Sequence, residues 1–258
     1  MRNALAFLLL MCVMPRGDGA SARDIYLYHV TKGDEFYRSF DNGHALAEYQ
    51  KAYELAPDSF ATLERMVRIY TDMGRLLLRK DPSSEVFYRK AVVYADSLAQ
   101  RFPGRPESHF WLALSEGSLI PFGGAREKVR TARRVQEEAN KAIEIDSGFA
   151  EAYVILGIFQ REASNISWFE RVLANVIFGA DFSGTLSASE SYLRKSVELN
   201  PKNSYGYYEL YWTYKAMNDS ARANQSLKQV LAISPSNARE RLQNEEATRQ
   251  LALMAKKP

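Results

Sequence analysis

Large and small apolar residues recur along this chain at intervals of about 34 residues, and this repetition constrains the fold more than any other feature. The small residues allow the two helices of a unit to approach closely, and the large ones fill the gap to the next unit. Proline ends the second helix because it has no N–H to donate. The repetition therefore predicts helical pairs stacked in a row. The clearest unit, residues 204–237, carries the pattern at Tyr207, Leu210, Tyr214, Ala223, Leu227 and Pro235.

This spacing resembles the tetratricopeptide repeat, which implies an all-α solenoid of helix-turn-helix units. We predict about five units within a domain spanning residues 23–237. A polar-backed helix within residues 238–258 should cap the array, because the last unit of a stack leaves its apolar face uncovered. The five predicted units are residues 26–59, 60–105, 106–149, 150–203 and 204–237.

Three of the units are longer than the repeat requires, with extra residues near 77–87, 117–131 and 163–186. The last insertion contains Trp168 and Phe169 within an apolar stretch from Ile166 to Phe178, which indicates a helix with a broad apolar face. This helix could enlarge the core, form one wall of a pocket for an apolar ligand or extended peptide, or lie on a membrane surface. The membrane interpretation has less support because Arg171 is the only basic residue of that helix.

Residues 1–22 have the pattern of a secretory signal peptide. Arg2 precedes an apolar run, and Ala20-Ser21-Ala22 fits the rule for cleavage. We therefore expect a secreted or periplasmic protein, cleaved near Ala22. The only cysteine, Cys12, lies in this segment and follows Met11, where a lipoprotein signal needs a small residue. No later segment reaches the roughly 18 apolar residues of a membrane-spanning helix.

The sequence contains no catalytic motif, so we predict that the protein is not an enzyme and has neither cofactor nor metal. The three histidines, His29, His44 and His109, lack a second ligand at metal-binding spacing. The net charge is +3, from 34 basic and 31 acidic residues spread along the chain. This balance gives no support to nucleic-acid binding.

Binding at the concave surface is the function that the repeat favours. The first helix of each unit lines the concave surface. Its inward-facing residues are a mixture of polar and apolar types in the first two units and are apolar in the last three. An apolar surface of that extent should be covered by the chain itself or by a partner. The predicted groove, including the inserted aromatic residues, consists of Phe110, Leu114, Val154, Ile158, Trp168, Phe169, Tyr205, Tyr208 and Trp212.

A narrower resemblance covers roughly residues 104–250. Four stretches are similar to the regulator of microtubule dynamics family and its bacterial relatives. They are Phe110 to Ala113, Leu156-Gly157, Arg161 to Arg171 and Phe178-Gly179. The resemblance implies microtubule association, or phospholipid binding and transfer, through a helical domain. An exported protein would not encounter tubulin, so of the two family roles, lipid binding is the one that we expect for this chain.

We therefore expect an exported, non-enzymatic module that holds an apolar ligand, such as a lipid, in the groove of its C-terminal half. The alternative is a scaffold that binds a peptide or a subunit of an envelope complex.

Overall fold

A computed structural model describes residues 21–77, 81–165 and 183–255. Most of the predicted signal peptide and of the third insertion, including Trp168 and Phe169, lies outside these residues. No strand occurs within the described ranges. The helices are α1 (Ala22–Arg38), α2 (Asn42–Leu55), α3 (Phe60–Leu76), α4 (Pro82–Arg101), α5 (Pro106–Leu119), α6 (Ala125–Ile145), α7 (Ala150–Ser164), α8 (Leu186–Leu199), α9 (Ser204–Ala216), α10 (Ser220–Ala232) and α11 (Ala238–Ala255), with a short 3₁₀ helix at Ile120–Phe122.

The first ten of these helices form five consecutive helical hairpins, and α11 follows the last of them. Each helix packs mainly on its partner within the pair and on the neighbouring pair. This arrangement confirms the predicted all-α tetratricopeptide solenoid with a C-terminal capping helix.

The first and last hairpins each contain a compact turn of the same type between their two helices. Phe40 and Asn218 adopt left-handed backbone conformations, with φ of 66° and 59°. The aspartate that follows each of them caps the second helix: Asp41 accepts the backbone N–H of His44, and Asp219 accepts that of Arg222. A short polar cap next to a left-handed residue ends one helix and starts the next within three residues.

The second and third hairpins are longer at the same edge of the solenoid, where the first helix of each is followed by the second. Many of the extra residues extend the second helix. Helix α4 has 20 residues and α6 has 21, whereas α2 has 14. Residues 120–122 add the 3₁₀ helix before α6. The edge formed by the second and third hairpins is therefore thicker than a plain repeat would provide.

Glycines allow the two helices of a hairpin to pack closely. A Cβ atom at Gly33 would overlap the ring of Tyr49, and one at Gly157 would overlap Leu193. Both large side chains are fully buried. The repeat pattern places glycine at these positions because the opposing side chain fills the space that a Cβ would need.

Helix α11 does more than cap the last hairpin. It packs on α10, where Ala247 is fully buried, and it also reaches α3. The guanidinium of Arg239 lies 5.1 Å from the ring centre of Tyr205, and that of Arg241 lies 4.7 Å from the ring centre of Phe40. The solenoid therefore curls until its C-terminal helix meets the first two hairpins. Of the helices in the described ranges, none is long and apolar enough to cross a membrane.

Candidate functional site

A cavity of about 740 Å³ lies beside the thickened edge of the solenoid. Its wall consists of the ends of α3, α5 and α7, the starts of α4, α6 and α9, and the 3₁₀ helix. Its size is typical of small-molecule sites, which span about 300–1,000 Å³. Its larger apolar lining residues are Leu77, Leu114, Ile120, Phe122, Val129, Val135, Ile155, Ile158 and Phe159.

Two arginines contribute polar atoms to this wall. Arg161 donates to the carboxylate of Glu209 at 2.8 Å and to the backbone carbonyl of the same residue at 3.1 Å. Arg75 donates to the hydroxyl of Tyr205 at 3.4 Å. These contacts join α7 and α3 to α9, so they hold together parts of the chain that are far apart in sequence.

The predicted groove residues fall into separate environments. Leu114, Ile158 and Tyr205 line the cavity. Phe110 and Val154 are buried in the main core instead, where the ring of Phe110 packs 5.7 Å from that of Phe149. Neighbouring first helices pack closely enough to enclose these two side chains.

Tyr208 and Trp212 form a second, partly buried aromatic surface on α9. Their ring centres are 6.2 Å apart, and the ammonium of Lys215 lies 4.7 Å from the ring centre of Trp212. Burial raises the pKa of Tyr208 to about 12, so its hydroxyl stays protonated at neutral pH. Neither ring lines the cavity. Trp168 and Phe169 lie outside the described residues.

The concave face of the first two hairpins is occupied by the protein's own polar side chains. Asp34 accepts the guanidinium of Arg65 at 2.7 Å and the hydroxyl of Tyr49 at 2.7 Å. The Tyr37 hydroxyl donates to Asp72 at 2.5 Å, and burial raises the pKa of this tyrosine well above its usual value. These groups satisfy one another, so this half of the groove offers few free polar atoms.

The histidines make ordinary structural contacts. His109 is buried, 2.6 Å from a carboxylate oxygen of Glu138 and 2.9 Å from the carbonyl of Pro103. His29 lies 2.6 Å from Glu48. Across the described ranges, His, Cys, Asp and Glu side chains form no group of three or more that could hold a metal ion.

Sequence reasoning missed several residues of the cavity. Arg75 and Tyr88 face it from the second hairpin, and Phe159 faces it from α7. A signal was present, because three consecutive units carry extra residues between their helices. The extra residues of the second and third units emerge at one edge of the solenoid, beside the cavity.

Residues 29–255 match the family described as regulator of microtubule dynamics protein 1-3. The chain belongs to this family. It is 24% identical over 179 residues to regulator of microtubule dynamics protein 1 of Mus musculus, covering 67% of this chain and 59% of that protein. It is 27% identical over 139 residues to regulator of microtubule dynamics protein 3 of Xenopus laevis, covering 54% of this chain and 30% of that protein. The chain thus spans less than two thirds of the length of these curated relatives.

Solved structures support the same fold. A thermophilic tetratricopeptide protein of Thermus thermophilus superimposes with a TM-score of 0.63 and 14% identity, covering 86% of this chain and 98% of that one. A tetratricopeptide repeat protein of Parabacteroides merdae gives a TM-score of 0.51 and 16% identity, covering 88% and 72%. The tetratricopeptide fold is a scaffold for interactions, and the relatives of this family member are named as regulators.

Proposed function

We propose that this member of the family is an exported, non-enzymatic binding module that takes up an apolar ligand, such as a lipid, in the cavity beside its thickened edge. The observation that carries the proposal is the composition of the cavity wall, which is mostly apolar and is drawn from four of the five hairpins. A largely apolar pocket with a few polar groups is the usual form of a small-molecule site.

The shape of the protein favours this cavity over the open groove. The curl of the solenoid brings Arg75 within 3.4 Å of Tyr205, and α11 crosses to α3. Phe110 and Val154 are consequently enclosed in the core, whereas Leu114 and Ile158 face the cavity. A ligand in the cavity would therefore contact the third and fourth hairpins together.

A substitution that fills the cavity tests the proposal. Gly117 lines the cavity, and a Cβ atom there would meet Val135 at an ordinary 3.8 Å. We expect Gly117→Phe to fold normally and to bind a long-chain amphiphile at least tenfold more weakly, measured by displacement of the neutral dye Nile red.

The matched control is Gly104→Phe, because Gly104 lies in an exposed turn where a Cβ atom would have no neighbour within 4 Å. This variant should keep the affinity of the wild type. Equal affinity of both variants for the amphiphile would contradict the location of the site, and absence of binding by the wild type would overturn the proposed function.

A protein-interaction scaffold is the second candidate. Tyr208 and Trp212 support it, because this partly exposed aromatic pair lies outside the cavity, and aromatic residues are frequent anchors at protein interfaces. On this hypothesis, a peptide or envelope subunit cross-links to the wild type and to Gly117→Phe but not to Trp212→Ala. Equal cross-linking to all three proteins would count against it.

Export is part of the proposal. Ser21 caps α1, accepting the backbone N–H of Asp24 and donating its own N–H to the Asp24 carboxylate. Cleavage near Ala22 would remove this cap, so the first turn of α1 should fray in the mature chain. Sequencing of the purified protein should find a terminus near Arg23, and an intact Met1 would contradict export by cleavage.

A further inference from the structure

The C-terminal helix α11 contacts both ends of the solenoid, and the two contacts differ in character. On the C-terminal side, α11 packs on α10, and Ala247, Leu251 and Met254 pack in the main hydrophobic core. Ala247 is fully buried. Burial of apolar surface therefore holds α11 against the last hairpin.

The contact of α11 with the first two hairpins involves charged side chains. Helix α11 reaches α3, and the guanidinium of Arg241 lies 4.7 Å from the ring centre of Phe40, which follows α1. Arg239 lies beside the first hairpin as well, because burial and Asp72 raise the pKa of Tyr37 and the positive charge of Arg239 opposes that rise. In the ranges that the structure describes, the hydrogen bonds and ion pairs of α11 side chains stay within α11 and the turn before it. Within those ranges, no such bond joins α11 to the first two hairpins.

The elements that form this second contact carry buried polar atoms without a hydrogen-bond partner among the described residues. On α11 these atoms are Nε of Arg239 and Oε1 of Gln243, one turn further along the same face of the helix. On the first two hairpins they are Nε of Arg68 on α3 and both amide atoms of Asn42, two residues after Phe40. A buried polar atom that has lost its water without gaining a partner disfavours the arrangement that buries it.

The attraction across this contact is also weak. A guanidinium over an aromatic ring stabilises only slightly where the cation stays in contact with solvent, and Arg241 is exposed. The closed arrangement thus gains little from the contact and leaves polar atoms unpaired, whereas separation would hydrate them. The closed and separated arrangements are therefore close in free energy.

We propose that α11 is a latch: it remains on the last hairpin and releases the first two hairpins, so that the solenoid exchanges between a closed and an open form. Opening separates Arg75 on α3 from Tyr205 on α9, which are joined by a long hydrogen bond of 3.4 Å. Both residues line the cavity, so the open form gives access to it. The latch does not rest on the proposed function, because the two forms can be observed without a ligand.

Double electron–electron resonance between two spin labels tests the latch on the full chain. Cys12 is replaced by serine, and the labels are attached at Gly43→Cys on α2 and Ala252→Cys on α11, two exposed positions. We expect two distance populations, with the longer one comprising roughly a tenth of the molecules or more. A control pair, Gln229→Cys on α10 with Ala252→Cys, should give a single distance, because α11 stays on α10.

Variants on α11 should shift the two populations in opposite directions. Arg241→Ala removes the contact with Phe40 and should raise the ratio of open to closed form about two- to fivefold. Gln243→Met replaces an unpaired buried oxygen by an apolar group of similar size and should lower that ratio about threefold or more. The control Arg249→Ala removes the same charge from the same helix, where Arg249 is exposed and pairs with Glu246, and should leave the ratio unchanged. Thermal melting establishes that each variant is folded.

Three results would overturn the latch. The first is a single distance for the α2–α11 pair in both the wild type and Arg241→Ala. The second is an equal shift in Arg249→Ala and Arg241→Ala, because the charge of α11 and not its contact with Phe40 would then set the ratio. The third is two populations for the α10–α11 control pair, because α11 would then leave the last hairpin. If Gln243→Met does not fold, Arg241→Ala still decides, since its side chain lies at the surface.

Discussion

At the scale of single residues, Glu116 on α5 is a carboxylate whose surroundings disfavour its charged form. It is 6% exposed, and one of its oxygens lies 2.7 Å from the Arg134 guanidinium. The other oxygen is buried and has no hydrogen-bond partner. Burial raises the pKa of Glu116 to about 7, outweighing the opposite effect of Arg134. This side chain should therefore make the stability of the protein depend on pH.

The direction of this pH dependence follows from the protonation of Glu116 in the folded and unfolded chains. Between pH 4.5, the ordinary value, and about 7, folded Glu116 keeps a proton that the unfolded chain releases. Raising the pH across this window therefore lowers the free energy of unfolding, by about 3 kcal/mol in total. Chemical denaturation should give the free energy of unfolding of the wild type and of Glu116→Gln. As the pH rises from 5 to 8, the stability of the variant should increase relative to that of the wild type. The same pH dependence of stability in the wild type and in Glu116→Gln would contradict this interpretation. The control variant is Glu137→Gln, because Glu137 is an exposed carboxylate that pairs with Arg133.

At the scale of helices, close packing within each hairpin carries much of the architecture. The Tyr49 ring is fully buried against Gly33, and its hydroxyl donates to Asp34 at 2.7 Å, so the ring has little freedom to move aside. We expect Gly33→Ala to lower the free energy of unfolding by about 1–3 kcal/mol, because overpacking exceeds the gain in helix propensity. Gly104→Ala should change it by less than about 0.5 kcal/mol. A Gly33→Ala protein as stable as the wild type would show that the helices separate easily.

The hairpins were predictable from sequence because their pattern is local. Gly33, Gly157 and Leu193 mark contacts between helices that are close along the chain, and proline marks helix ends. The extension of α4 and α6 was not predicted, because residues between two repeat helices carry no fixed pattern of their own. Local spacing indicates that extra residues are present, but packing on neighbouring hairpins decides whether they become helical.

At the scale of the whole molecule, the cavity depends on contacts that no local pattern encodes. The approach of Arg75 to Tyr205 joins residues 130 positions apart. It results from small rotations between successive hairpins that accumulate along a solenoid. For this reason, Leu114, Ile158 and Tyr205 could be selected as inward-facing residues from sequence, whereas Arg75 could not be connected with them. The same curl encloses Phe110 and Val154, which an open groove would have exposed.

Methyl NMR of the folded protein during titration with oleate tests the central claim most directly, because it locates the ligand. If the cavity is the binding site, the methyl resonances of Leu114, Val129 and Ile158 shift with a common saturation curve. Those of Ile25 and Leu253, which are exposed and do not line the cavity, stay unchanged. Unchanged cavity methyls at saturating oleate, or shifts confined to exposed methyls, would contradict the claim that this cavity binds an apolar ligand.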